Sequence, residues 1–134
     1  MGKIYEHPDW SGCIYWEFDP VDGWEGYHQE LDQIAERAKN ATEPFIIIFE
    51  PSGDIPRGNP ITHMRRIVQV SKSNKMITRT IIMLESNWFI AKAFANLLNK
   101  VMLLEPEVKL VFGIDEARKV YEATLLADQK KSNV

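Results

Sequence analysis

Apolar and polar residues alternate near the start of the chain in the way typical of β-strands. The alternation covers Gly12–Asp19, and a shorter alternating segment, Lys3–His7, precedes it. The letters between the two segments, PDWSG, favour a turn. The pattern therefore predicts an antiparallel hairpin. One face of its second strand would carry Ile14, Trp16 and Phe18, and the other Tyr15 and Glu17.

The pattern then changes to apolar residues at steps of three and four, which is typical of a helix that packs one face on a sheet. Asp22 and Glu25 have the spacing of an N-terminal capping box, and both carboxylates suit the positive end of a helix dipole. We therefore expect a helix to begin at Asp22. Its inward positions would be Trp24, Tyr27, Leu31, Ile34, Ala35 and Ala38.

Three apolar runs, Phe45–Phe49, Met76–Leu84 and Val108–Ile114, predict buried strands. Helical segments with short links separate them, which favours an α/β domain with a mostly parallel sheet and right-handed crossovers.

Three more helices are predicted from capping residues and apolar spacing. The first opens at Asn59 and Pro60, the second runs from Trp88 to about Leu103, and Asp115 caps the third. The inward positions of the first would be Ile61, Met64, Ile67 or Val68, and Ser71; those of the third would be Ala117, Val120, Tyr121 and Leu125.

The chain of 134 residues, 45% of them hydrophobic, suits one compact domain. We place the domain at 1–127 and expect a polar, frayed tail at 128–134. One cysteine, Cys13, and the absence of a signal peptide or long apolar run favour a reduced compartment, the cytoplasm, without stable membrane insertion. A net charge of −3 argues against nucleic-acid binding.

The opening hairpin, a buried strand that ends in a turn of the D-x-S-G type, and the closing letters FGIDEA together resemble the STAS domain, in particular its bacterial SpoIIAA-like members. Glu50, Ser52 and Gly53 occupy the positions of the D-x-S-G motif. The resemblance covers about Gly12–Thr124. It implies a single domain with four to five strands, an N-terminal antiparallel hairpin and about four helices.

Members of that family that antagonise anti-sigma factors carry a D-S-S-G helix start, whose second serine is phosphorylated by a partner kinase. A gapless alignment places Pro60 at that serine. Proline has no hydroxyl, so the resemblance implies a member without the usual phosphoacceptor. Thr62 is the nearest replacement hydroxyl.

The loop and helix start after the third strand form the predicted binding site. A helix N-terminus offers unpaired backbone donors and partial positive charge, which suit a phosphate or a carboxylate. The alternative is a simple helix start with Arg65 and Arg66 on its wet face; since the two point about 100° apart, only one can face the loop. The predicted binding residues are Ser52, Gly53, Asp54, Arg57, Asn59, Thr62, His63 and Arg66.

Catalysis and metal binding are less favoured. Glu50 and Asp54 could work with His63 as acid and base, but capping and turn-making are commoner roles for such residues. His7, His28 and His63 each stand alone in the sequence, without the spacing of a zinc site. We predict no catalytic residue, no metal and no cofactor.

The segment 87–106 carries more apolar residues than one helix face needs. The excess could form a dimer surface, a groove wall or a lipid contact, or be buried in a deeply wedged helix. The predicted interaction surface is Trp88, Phe89, Leu98 and Met102.

These observations favour a non-enzymatic regulatory or protein-interaction module of STAS type that binds a protein partner or a second copy of itself. The alternative is a carrier of a small ligand, either a lipid or an anionic metabolite. An enzyme that uses Asp54 and His63 ranks third.

Overall fold

The computed structural model describes residues 3–51, 60–84 and 108–132. Within these ranges the chain forms five strands and three α-helices. The strands are β1 (Lys3–Glu6), β2 (Cys13–Phe18), β3 (Phe45–Pro51), β4 (Ile77–Leu84) and β5 (Val108–Phe112). The helices are α1 (Gly23–Asn40), α2 (Pro60–Ser73) and α3 (Gly113–Ser132), and a 3-10 turn, Pro20–Asp22, precedes α1.

The five strands form one mixed sheet in the order β1-β2-β3-β4-β5. β1 and β2 are antiparallel, which confirms the predicted hairpin, and the other neighbours are parallel. The register pairs Trp16 with Phe49 and Glu17 with Glu50, so the carboxyl ends of β2 and β3 lie side by side. The predicted α/β class and mostly parallel sheet are confirmed. The helix predicted from Trp88 to Leu103 lies outside the described residues.

The two faces of the sheet carry separate apolar clusters. On one face, here called the α1/α2 face, Trp16, Phe18 and Phe49 pack against Tyr27 and Leu31 of α1 and against Met64 and Ile67 of α2. Because α1 and α2 each lie in a crossover between neighbouring parallel strands, crossovers of the same hand place the two helices on the same side of the sheet. Side chains of β3 are buried on both faces, as its continuous apolar run predicts.

A buried hydroxyl pair joins α2 to the sheet on this face. Ser71 Oγ lies 2.7 Å from the carbonyl oxygen of Ile67 and 2.6 Å from Thr80 Oγ1. The Ile67 carbonyl can only accept, so Ser71 donates to it and Thr80 donates to Ser71. Each hydroxyl therefore has a partner, which makes the burial of both tolerable.

The opposite face, here called the α3 face, is covered by α3 and by the turn between β1 and β2. Trp10 of this turn stacks on Tyr121 of α3 with ring centroids 5.1 Å apart. The Tyr121 hydroxyl donates to the carbonyl of Ser11, and the guanidinium carbon of Arg118 lies 5.9 Å from the Trp10 ring. These contacts fix α3 to the hairpin turn.

Four local predictions differ from the structure. Asp22 makes no side-chain cap for α1; instead Asp19 accepts a hydrogen bond from the Val21 amide and caps the 3-10 turn. Asp115 lies inside the first turn of α3, because that helix already begins at Gly113, where φ is +84°. Leu125 is 36% exposed, and Thr124 takes the inward position. Finally, α3 continues to Ser132, through most of the segment predicted to be a frayed tail.

Candidate functional site

The predicted binding site is described only in part. Ser52, Gly53, Asp54, Arg57 and Asn59 lie outside the described residues, as do all four residues of the predicted interaction surface: Trp88, Phe89, Leu98 and Met102. Thr62, His63 and Arg66 are described, and all three lie in the first two turns of α2. The described part of the candidate site therefore consists of α2 and the elements that contact it.

The first turns of α1 and α2 meet beside the carboxyl ends of β2 and β3. The rings of Trp24 and His63 stack with centroids 4.4 Å apart and planes 11° from parallel. Below them, the buried hydroxyl of Tyr27 donates to the backbone carbonyl of His63 at 3.0 Å. Since this end of a parallel sheet is where α/β proteins usually bind ligands, His63 is held in a suitable place.

A pair of histidines connects the two helices. His28 Nε2 of α1 lies 2.8 Å from His63 Nδ1 of α2. On its other side, His28 Nδ1 lies 3.1 Å from Nη1 of Arg66, and the same Nη1 also donates to the His28 carbonyl at 3.2 Å. The three side chains thus form one row: Arg66, His28, His63.

The chemistry of arginine determines which ring nitrogens carry protons. A guanidinium only donates, so His28 Nδ1 must accept from Arg66 and the His28 proton must be on Nε2. That proton is donated to His63 Nδ1, which leaves the proton of neutral His63 on Nε2. The positive charge of Arg66 polarises both rings in the same direction. His63 Nε2–H is therefore the donor at the far end of the row.

Arg66 is held in place by a further contact with Asp32 of α1, which accepts from its Nη2. The side chains of Arg66 and Asp32 are 33% and 64% exposed, so this ion pair contributes at most about 1 kcal/mol to stability. Its main effect is to orient the guanidinium towards His28. The neighbouring Arg65 is exposed, in agreement with the prediction that the two arginines point in different directions.

The surroundings of His28 favour its neutral form. Burial lowers its pKa from the ordinary value of 6.5; Arg66 and His63 lower it further, and Asp32 opposes the decrease. A protonated His28 would also have to turn an N–H towards the Arg66 guanidinium. The row of hydrogen bonds therefore needs a neutral His28.

Glu50 and His63 lie on opposite sides of the sheet. Glu50 accepts a hydrogen bond from the hydroxyl of Tyr15, which belongs to the cluster on the α3 face. In the same patch, Tyr5 donates to Glu17 at 2.9 Å, and burial is the main reason that its pKa rises to about 12. The structure thus does not bring Glu50 to His63, and an acid-base pair of these two residues is excluded. Asp54 lies outside the described part of the chain.

Sequence reasoning missed three members of the site: Trp24 as a stacking partner, His28 and Asp32. The spacing of apolar residues places Trp24 among the inward positions, and His28 stands alone in the sequence. The residues of the pair are 35 positions apart in the chain and on different helices, so local spacing carries no signal for it. Their common position in the first half of a helix after a parallel strand was the only available hint.

Two of the clefts lined by described residues lie beside α1. One, of about 480 Å³, lies between β1 and α1 and is lined mainly by carboxyl and amide side chains. The other, of about 570 Å³, lies at the opposite end of the sheet, around His7, Trp10 and Phe45. An acyl chain needs an apolar lining, so the first cleft does not favour the predicted lipid carrier.

Cys13 is buried, and burial raises the pKa of its thiol to about 12. It is therefore a protonated, unreactive core residue. Among the described residues, no cluster of three or more potential metal ligands occurs, and no helix is long and apolar enough to cross a membrane.

Comparison with known proteins gave no significant match to a protein-family model, a curated protein or a solved structure.

Proposed function

We propose that this chain is a non-enzymatic regulatory or protein-interaction module of STAS type, which binds an acidic group of a protein partner beside the first turns of α1 and α2. The observation that carries the proposal is the row Arg66–His28–His63, which leaves a polarised N–H on His63 at the start of α2. Thr62, the preceding residue of α2, is exposed. Donors at a helix N-terminus favour a carboxylate or a phosphate.

The protonation pattern supports binding rather than general-base catalysis. A general base needs a free lone pair on the nitrogen that meets the substrate. In His63 the Nδ1 lone pair accepts from His28, and Nε2 carries the proton. In this arrangement His63 Nε2–H can act only as a hydrogen-bond donor.

The order of elements supports the STAS assignment: an antiparallel hairpin is followed by parallel strands and helices, with α2 beginning at Pro60 after β3. Proline at the aligned phosphoacceptor position fits a partner interaction without phosphorylation of this residue. An acidic group supplied by the partner would take the place that the family's own phosphoserine occupies.

The proposal is tested by affinity capture from the native host, with the full chain as bait. The baits are the unchanged chain, the His63→Ala variant and the Lys119→Ala variant, whose exposed lysine on α3 is remote from the site. We expect the unchanged and Lys119→Ala baits to retain the same specific protein, and His63→Ala to lose it. Inorganic phosphate should compete with that protein. Equal capture by all three baits would contradict the proposal.

A further inference from the structure

Glu30 is a buried acid on α1, away from the row of Arg66 and the histidines. Its side chain is 9% exposed, and within the described part of the chain neither carboxyl oxygen has a hydrogen-bond partner. The indole N–H of Trp16, which favours the charged form of this carboxyl group, also has no hydrogen-bond partner among these residues. Such a group is costly to bury unless something binds it.

Glu30 is one of the residues that line the cleft of about 480 Å³ between β1 and α1. This volume is in the range of small-molecule sites. Ile4 contributes an apolar side, and Trp16, its partner across the hairpin, is fully buried next to it. The remaining lining residues come from the start and middle of α1 and are polar: Asp22, Glu25, Gly26, Gln29 and Gln33.

The charged side chains among the described lining residues all have one sign. The described lining of the cleft holds three acidic residues, two glutamines and no lysine or arginine. Asp22 and Glu25 are explained in part by the helix dipole, which favours acids in the first turn. Glu30 lies more than a turn further along α1, where the dipole offers it nothing. Its burial at the cleft wall therefore has no explanation in helix stability.

Gly26 brings Asp22 to the mouth of the cleft. A Cβ atom on Gly26 would lie 2.5 Å from Asp22 Cβ, so the aspartate packs over the bare backbone of the glycine. The negative charge of Asp22 is close enough to contribute to the raised pKa of Glu30, which is due mainly to burial. Two acids thus face the same space.

We propose that this cleft is a binding site for a small organic cation, such as an alkylammonium or a guanidinium, whose charged head donates hydrogen bonds to Glu30. The cation would neutralise the buried carboxylate and supply the donors that its oxygens lack, while its stem lies against Ile4. A divalent metal is less suitable, because no group of three or more ligating side chains occurs among the described residues.

The test uses the full chain and three probes at matched ionic strength: 1,4-diaminobutane, its uncharged analogue 1,4-butanediol, and MgCl₂. Binding is measured by calorimetry and by the ¹H–¹⁵N signal of the Trp16 indole. We expect saturable binding of the diamine with a shift of that signal, and neither effect with the diol or with Mg²⁺. No saturable diamine binding, or equal effects of diamine and diol, would overturn the proposal, and saturable Mg²⁺ binding would replace it with a metal site.

Variants identify the residue responsible. Glu30→Gln keeps the shape but removes the charge, and should weaken diamine binding at least about tenfold. The matched control is Glu36→Gln, an exposed glutamate on α1 outside the cleft, which should bind within about twofold of the unchanged chain. If Glu30→Gln does not fold, Asp22→Asn at the mouth should still weaken binding about threefold. Unchanged affinity for the diamine in a folded Glu30→Gln variant would overturn the assignment. If that variant does not fold, unchanged affinity in Asp22→Asn would overturn it.

Discussion

His28 Nε2 lies 2.8 Å from His63 Nδ1, and this contact joins α1 to α2 next to the carboxyl ends of two parallel strands. Because Arg66 donates to the other nitrogen of His28, the direction of every hydrogen bond in the row is determined. The same row that fastens the two helices together therefore also presents a donor for an acidic group. Stability and the proposed recognition therefore depend on the same protonation state.

The first prediction concerns pH. The pKa of His28 is lowered by folding, so the unfolded chain binds more protons than the folded one below the ordinary value of 6.5. The contribution of His28 to stability is complete above that pH and is lost as the pH falls through the lowered pKa. The loss should stay below about 1 kcal/mol, because the ring is partly exposed and solvent screens its charges.

Urea unfolding of the unchanged chain and of His28→Gln, each at pH 7.5 and 5.5, measures this effect. Only the unchanged chain has the titrating ring, so its free energy of unfolding should decrease more. Parallel decreases in the two proteins would show that His28 does not titrate as described.

The second prediction concerns the buried hydroxyls of Ser71 and Thr80. Ser71→Ala removes the acceptor of Thr80 and leaves a buried donor unpaired, which should cost about 1 to 3 kcal/mol. Thr80→Val leaves Ser71 still bound to the Ile67 carbonyl and should cost about 1 kcal/mol or less. In a double-mutant cycle, the double variant should be more stable than the sum of the single losses implies. Strict additivity would contradict the hydrogen bond.

The third prediction concerns the attachment of α3. Tyr121→Phe keeps the stack on Trp10 and loses the bond to the Ser11 carbonyl, which should cost about 1 kcal/mol. Tyr121→Ala also loses the ring and should cost about 3 kcal/mol or more. Leu126, 58% exposed on the same helix, provides the control, because Leu126→Ala should stay within about 0.5 kcal/mol. Thermal or urea unfolding gives these values, and equal effects of Tyr121→Ala and Leu126→Ala would contradict the packing.

The fourth prediction concerns the stability cost of Glu30. Burial raises its pKa above the ordinary value of 4.5, an effect that the Trp16 N–H opposes and Asp22 increases. The folded chain therefore holds the proton of Glu30 more tightly than the unfolded chain does. The contribution of protonated Glu30 to stability is complete below pH 4.5 and is lost as the pH rises through the raised pKa. At pH 7.5 and without ligand, Glu30→Gln should be more stable than the unchanged chain by on the order of 0.5 to 1 kcal/mol, screening included.

Urea unfolding at pH 7.5 and 4.5 checks the sign of this pH dependence. The advantage of Glu30→Gln should be larger at the higher pH, whereas the exposed control Glu36→Gln should show no such difference. An advantage that grows towards low pH would contradict the buried, uncompensated carboxylate.

The parts of the fold that could be predicted are those encoded by local patterns. The run Phe45–Phe49 predicts a strand covered on both faces, and the alternation around Trp16 predicts which side chains face α1; both agree with the structure. Pro60 at the first position of α2 was likewise predicted from its neighbours. These features need only the sequence within one element.

The candidate site was less predictable, because its contacts join distant parts of the chain. Nothing near His28 indicates that His63 and Arg66 will meet it, since they follow 35 and 38 residues later. Glu30 is a different case: it lies three residues after Tyr27 and one before Leu31, so helical spacing already placed it towards the sheet. Its polar character hid that signal. The start of α1 at Gly23 agrees with the prediction to within one residue, although Asp22 makes no side-chain cap and Asp19 caps the preceding 3-10 turn.

The most direct test of the central claim is the protonation and response of the histidine rings, measured by long-range ¹H–¹⁵N spectra at pH 7.5 during titration with inorganic phosphate. His28 and His63 should both be neutral with the proton on Nε2, and the His63 signals should move as phosphate binds. His7, whose Nδ1 accepts from the amides of Asp9 and Trp10, provides a control that should have the same tautomer and not move. A His63 proton on Nδ1, or His63 signals that respond no more than those of His7, would contradict the account.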